Sequence, residues 1–222
     1  MRNMTEPDNR LKACAELITG DYVCDIGTDH GYLPAYLLTS GRCTRAIAAD
    51  INEMPLDAAR RTLMQAGVLD RAQLILSDGT KNIDLAGVTD VVLAGMGGEL
   101  IADIVTGDER LRSVNIVTQP MTRTVHLRKT MLEHGFGISY EMAVRSKGRL
   151  YTVIAFKYTG ECVDDEMMCH IGGLSSLWEN DREYMINYLS NMREIAANIE
   201  LSDPHRASEM RELADRIVRK FF

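Results

Sequence analysis

The sequence has no long apolar run: the stretch from Asp90 to Met96 is the longest, far below the roughly 20 residues that a membrane span needs. Its start carries no apolar signal segment, so the reading is a soluble, cytoplasmic protein with no membrane partner. The five cysteines, Cys14, Cys24, Cys43, Cys162 and Cys169, form no CxxC pair. That argues against a zinc cluster and against a disulfide frame, so no metal is expected and the thiols read as reduced and mostly buried. Also missing is G-x-G-x-x-G, the fingerprint that presses a pyrophosphate onto a helix N-terminus. Positive charge is short overall, 25 basic residues against 32 acidic for a net of −7, which argues against a uniformly basic nucleic-acid binder.

What the chain does hold is enough for one full core and a small appendage: 222 residues, 45% hydrophobic and 26% charged. The charge is unevenly placed. From Arg110 to Lys157 nine basic residues meet only two acids, Glu133 and Glu141, a local net of +7 that leaves the remainder near −14.

Short runs rich in Val, Ile and Ala alternate with amphipathic stretches as far as Tyr158, the pattern of a parallel sheet covered on both faces by helices. The expected strands are Tyr22 to Asp25, Arg45 to Ala49, Gln73 to Ser77, Asp90 to Ala94, Val114 to Thr118, Ile138 to Arg145 and Tyr151 to Tyr158. Helices are expected over Pro34 to Thr39, Pro55 to Ala66, Glu99 to Val105 and Arg123 to His134, the last ended by Gly135. Only Ser146-Lys147-Gly148-Arg149 joins the last two strands, so they should pair as an antiparallel hairpin. Beyond Gly160 the pattern turns helical. Met185, Leu189, Met192, Ala196 and Ile199 step by 4, 3, 4 and 3, and Ala207, Met210, Ala214, Ile217 and Phe221 by 3, 4, 3 and 4. Between these seams Asp203 reads as an N-cap and Pro204 as the first helical residue. The expectation is a doubly wound domain over 1–159, then an antiparallel coiled-coil hairpin over 160–222.

The chemistry sits where strands end. Strand one runs into Asp25-Ile26-Gly27-Thr28-Asp29-His30-Gly31, at the carboxyl edge where a doubly wound sheet binds nucleotides. Two carboxylates there would repel phosphate but suit the α-ammonium and sulfonium of S-adenosylmethionine (SAM). Taken alone, the loop also reads as a turn with Asp29 capping the next helix. Strand two ends at Asp50, 23 residues after Gly27, the place of a carboxylate that accepts a ribose diol. Strand three ends in Ser77-Asp78-Gly79, where Asp78 can accept an adenine amino group and Gly79 leaves room for the ring. Strand four ends in Ala94-Gly95-Met96-Gly97-Gly98, which implies a ligand against bare backbone. Strand five ends in Gln119-Pro120-Met121, either a base-reading Gln behind a fixed rim or an exposed loop.

DIGTDHGYLP at 25 to 34, DINEMPLDAA at 50 to 59, SDGT at 77 to 80, AGMGGELI at 94 to 101 and QPM at 119 to 121 together resemble one family, TrmK, the bacterial tRNA (adenine-22, N1)-methyltransferases. The resemblance covers essentially the whole chain. It implies a Rossmann-like class I methyltransferase sheet with a helical coiled-coil domain, SAM as cofactor and N1 of an adenosine in the tRNA D-arm as target. At the matching positions Asp25, Gly27, Thr28, Asp29 and His30 would line the methionine part of SAM. Asp50 and Ile51 would line the ribose, Asp78 and Gly79 the adenine, and Gly95 and Met96 would face the methyl.

Adenine N1 has its own lone pair, so alignment and a dry pocket matter more than a strong base. The base must also leave its pair before it can enter. Asp29 is the candidate for stabilising the cationic product or accepting an N6 proton. His30 either positions the substrate or caps the helix, and Tyr32 either stacks on the base or packs in the first helix. Gln119 and Pro120 are assigned to the base, and Arg123, Arg128, Arg145, Lys147 and Arg149 to tRNA phosphates. The coiled-coil hairpin either grips the tRNA body or makes a homodimer; the protein is otherwise a monomer. Rival readings are a SAM methyltransferase of another RNA or a small molecule, and an RNA-binding protein of this fold without catalysis.

Overall fold

Tyr22–Ile26 (β1) is buried at all five positions, as a strand covered on both faces must be. In the computed structural model, which describes residues 7–222, it lies in the middle of a seven-stranded sheet. Helix Asn9–Glu16 (α1) precedes it. Helix Tyr32–Thr39 (α2), strand Arg45–Asp50 (β2), helix Glu53–Gln65 (α3), strand Ala72–Leu76 (β3), strand Asp90–Gly97 (β4), helix Gly98–Thr106 (α4), strand Asn115–Thr122 (β5) and helix Thr124–Glu133 (α5) follow. Strands Phe136–Ser146 (β6) and Arg149–Tyr158 (β7) complete the sheet, and helices Glu166–Ile171 (α6), Glu179–Ile199 (α7) and Pro204–Phe221 (α8) end the chain. The order across the sheet is β3-β2-β1-β4-β5-β7-β6, the first five strands parallel and β7 antiparallel to both its neighbours. This is the class I methyltransferase sheet expected from the sequence. Strand order reverses between β1 and β4, which opens a crevice at the carboxyl edge.

Side-chain alternation divides the core into two layers. Val23, Val92, Val117 and Val153, one from each central strand, face α1, α2 and α3. Cys24, Leu93, Ile116 and Ile154 face α4 and α5. The C-terminal helices make a third cluster, in which Met185, Leu189 and Met192 of α7 meet Leu213, Ala214 and Ile217 of α8. Asp203 caps α8 as expected, accepting from the Arg206 amide at 3.1 Å. Among the described residues no helix is long and apolar enough to cross a membrane.

The structure corrects several expectations. β4 does not stop at Ala94, nor β5 at Thr118: the two pair as far as Gly97 and Thr122 with register shifts around Met96. Gly95-Met96-Gly97 and Gln119-Pro120-Met121 are therefore irregular strand, not loop. The irregular pairing accommodates Pro120, which has no N–H to give to a ladder. Helices α1 and α6 were not foreseen.

The largest correction concerns Arg128. It was assigned to phosphate, but its side chain is 1% exposed and its Nη2 lies 2.5 Å from Glu141 Oε1 on β6. Its Nη1 donates to the carbonyls of Cys169 and His170 at 3.2 and 2.8 Å, and Glu141 Oε2 accepts the Gly173 amide at 3.0 Å. A guanidinium so enclosed ties α6 to the sheet and has no surface to offer RNA. Asp181 on α7 makes a second tie, accepting the amides of Ala143 on β6 and Ser175.

Candidate active site

The loop after β1 is closed by two backbone bonds, Gly27 and Thr28 each donating to the Ala49 carbonyl at 2.8 and 2.9 Å. Gly27 has φ +73°, a conformation that favours glycine, and the space a Cβ would take there is filled by Met96 Cε of β4. Asp29 follows with φ +50° and an exposed carboxylate. Neither Asp29 nor His30 caps α2, whose cap is Gly31 with no side-chain bond. His30 instead stacks on Tyr32, ring centroids 5.4 Å apart at 24°, with Nε2 3.7 Å from Asp29 Oδ1.

These residues line one wall of a cleft of about 550 Å³ at the carboxyl edge of the sheet. Asp25 lies beneath it, 4% exposed, and burial, with the nearby charge of Asp50 adding, pushes its carboxyl up to about 7. Asp50 ends β2, also buried. Its Oδ2 accepts the Asp29 amide at 3.3 Å and its Oδ1 the Asn52 amide at 3.0 Å, which fixes the carboxylate plane. Ile51 lies on the rim, exposed. Asp78 and Gly79 lie beyond, Asp78 ion-paired to Lys81 at 2.5 Å. Gly95 lines the far wall at φ +80°, and a Cβ added to it would meet nothing within 4 Å. Thr28 Oγ1 is buried with no hydrogen-bond partner among the described residues.

Eleven cofactor positions read from the sequence, from Asp25 to Met96, thus line this single cleft. The substrate positions are more scattered. Tyr32 and Gln119 line the cleft; Pro120 is buried but does not line it. Gln119 is itself fully buried, its Nε2 donating to the Pro120 carbonyl at 2.9 Å and its Oε1 accepting from Arg10 Nη1 at 3.2 Å. The exposed-loop alternative does not hold: Gln119 is buried, yet it lines the cleft. Arg10, on α1, was missed; it lines the cleft, and the only local signal for it is Asp8, which caps α1 through the Arg10 and Leu11 amides.

The remaining basic residues are exposed. Arg123 follows β5 with φ +58° and faces Glu99 at 3.5 Å. Lys147 and Gly148 form the tip of the β6–β7 hairpin, both with positive φ, as a two-residue turn of this twist requires. Because Thr118 pairs with Ile154 and β7 runs backwards, the tip with Lys147 and Arg149 stands at the carboxyl edge, on the side of the cleft. Arg145 beside it is ion-paired with Glu183 of α7.

Comparison with known proteins agrees with this geometry. The methyltransferase-domain family matches residues 8–154. The chain is 31% identical over 160 residues to the tRNA (adenine(22)-N(1))-methyltransferase of Bacillus subtilis (strain 168), an alignment covering 68% of this chain and 65% of that protein, slightly under two thirds of its length. Among solved structures, a protein of the NADB-Rossmann superfamily from Streptococcus agalactiae superposes with a TM-score of 0.83 at 27% identity, covering 95% of each chain. M. capricolum TrmK, in complex with the cofactor product S-adenosyl-homocysteine, superposes with a TM-score of 0.75 at 27% identity, covering 93% of this chain and 96% of that one.

Proposed function

Because the chain belongs to the methyltransferase-domain family, matched over residues 8–154, we propose that it transfers a methyl group from SAM to N1 of an adenosine in tRNA, at position 22 in the D-arm. One observation carries this reading: buried Asp25 and Asp50, with Asp78 beyond them, share a cleft with the open backbone of Gly95. The similarity to a named tRNA (adenine(22)-N(1))-methyltransferase and to a structure holding S-adenosyl-homocysteine supports the donor and the acceptor. The test is to incubate the purified protein with SAM and unmodified tRNA and to map the product by mass spectrometry. The expected result is one methyl on N1 of adenosine 22; methyl at another nucleotide, or none, overturns it.

The residues present fit the cofactor. The space over Gly95 is free, and the acidic edge favours a cation. When bound, SAM supplies a methyl on a positively charged sulfur; transfer to N1 breaks the sulfur–carbon bond, leaves its electron pair on sulfur and puts the positive charge on the base. Asp25 supplies negative charge to the ammonium end. Asp50 accepts the ribose hydroxyls, and Gly95 leaves the backbone low enough for the donor to lie flat. Asp29 is the carboxylate assigned to the charged product, and His30 and Tyr32 the wall that steers the base. Residues 1–159 hold this chemistry, and 160–222 form the helical appendage. The protein works as a monomer or homodimer in the cytoplasm.

Two measurements follow from charge. Asp25, held protonated up to about 7, must ionise to meet a cation. SAM affinity should therefore rise about tenfold per pH unit towards 7 and level off above it, with protons released on binding. The same shift makes the native unliganded chain hold a proton that the unfolded chain has lost, so stability from this group declines as pH climbs from about 4 to 7. Calorimetry in buffers of different ionisation enthalpy checks this; a flat affinity profile removes Asp25 from the cation.

Arg123, Arg145, Lys147 and Arg149 are the proposed phosphate contacts. Four such contacts predict that log affinity for tRNA falls with log salt at a slope of roughly −3. The double variant R123E/R149E should bind tRNA at least about tenfold more weakly at 0.1 M salt, with SAM affinity unchanged. Filter binding across a salt series measures both, and an unchanged slope rules the patch out.

A further inference from the structure

The planar guanidinium of Arg10 is held by its edges. Nε and Nη2 donate to Asp8 Oδ2 at 3.2 and 2.6 Å, and Nη1 to Gln119 Oε1 at 3.2 Å and Met121 Sδ at 3.0 Å. Four of its five N–H groups are engaged, one on Nη2 remaining, so what the group chiefly offers is its two faces. One lies over the Tyr151 ring, 5.2 Å from its centroid. The side chain keeps 20% of its surface exposed and lines the cleft.

The order of strands fixes which end of the cleft this is. Asp78 just past β3, Asp50 and Asp25 at the ends of β2 and β1, and Gly95 on β4 come in turn across the sheet, and Gln119 on β5 comes next. Arg10 therefore sits one strand beyond Gly95, on the side away from Asp50 and Asp78. On the reading proposed above, that is where the acceptor base must lie.

The geometry points to Arg10 as the platform on which the target adenine stacks, its guanidinium sandwiched between the base and Tyr151. Arg is suited to this because a guanidinium plane stacks on bases as aromatic rings do. Pairing with Asp8 makes the two groups neutral as a unit, which weakens the opposition of the guanidinium to the cation formed at N1. The edge contacts hold the plane at one angle before the base arrives, which lowers the ordering cost of binding. Tyr32, the aromatic expected from sequence to stack on the base, is already stacked with His30.

The inference is tested with full-length protein and two tRNAs, one carrying adenosine and one an abasic site at the target nucleotide. The wild type should bind the first about tenfold more tightly. Arg10→Lys keeps the charge but loses the plane: its preference should fall to near one, and its single-turnover methylation rate should drop about tenfold. SAM affinity should stay at the wild-type value. Should R10K unfold, Arg10→Gln, which keeps a planar amide, should retain part of the preference. A wild-type preference in R10K or R10A overturns the platform while leaving the methyltransferase reading intact. Absence of methyl transfer by the wild type sinks both.

Discussion

Replacing Glu141 by alanine should destabilise the protein by about 3–5 kcal/mol, because it leaves the Arg128 guanidinium charged and unpaired in the interior. Arg128 is 1% exposed and cannot turn to water. Its other bonds, to the carbonyls of Cys169 and His170, do not neutralise its charge. For a chain of this length the loss corresponds to a melting temperature lower by roughly 10 °C. Urea denaturation measures it directly. The double variant R128M/E141L removes both charges and should recover most of the stability. A single variant that loses less than about 1 kcal/mol would show that water reaches the pair.

Asp50→Ala should weaken SAM binding by at least about a hundredfold. A carboxylate has about four lone-pair positions, and the Asp29 and Asn52 amides take two of those on Asp50. The other two are free for a ribose diol, and hydrogen bonds to a charged acceptor contribute about 1.5–3 kcal/mol each. Losing both amounts to roughly a hundredfold or more in affinity. Asp50→Asn, which keeps one acceptor, should fall between. Calorimetry with SAM and with adenosine alone locates the effect: both ligands should lose affinity together, since both carry the diol. Wild-type affinity in D50A would place the ribose elsewhere.

The sheet was legible because each central strand is apolar on both faces. Val91-Val92-Leu93 has no polar alternation, which fits only a strand covered twice. The acidic edge was legible for a related reason: parallel strands all end on one side, so carboxylates at the ends of successive strands must converge. What the chain hides is pairing across distance. Arg10 and Gln119 are 109 residues apart, and neither carries a local mark of the other. Arg128 looked like a surface residue of an amphipathic helix, since sequence shows a charge but not its exposure. Its partner did leave a trace: Glu141 is one of only two acids in the basic segment, and the residue two further along its strand, Ala143, is apolar. Helix α1 escaped notice because its eight residues are too short for a periodic signal to stand out.

The reversed direction of β7 makes the hairpin an adjustable reach. Its two strands can grow by one residue each without disturbing any parallel strand, but a single step turns every new side chain to the opposite face. Growth in pairs keeps Lys147 and Arg149 facing as they do and carries them about 7 Å further per step. The reach of the proposed phosphate contacts is therefore set in fixed increments, independently of the chemistry at the sheet's edge.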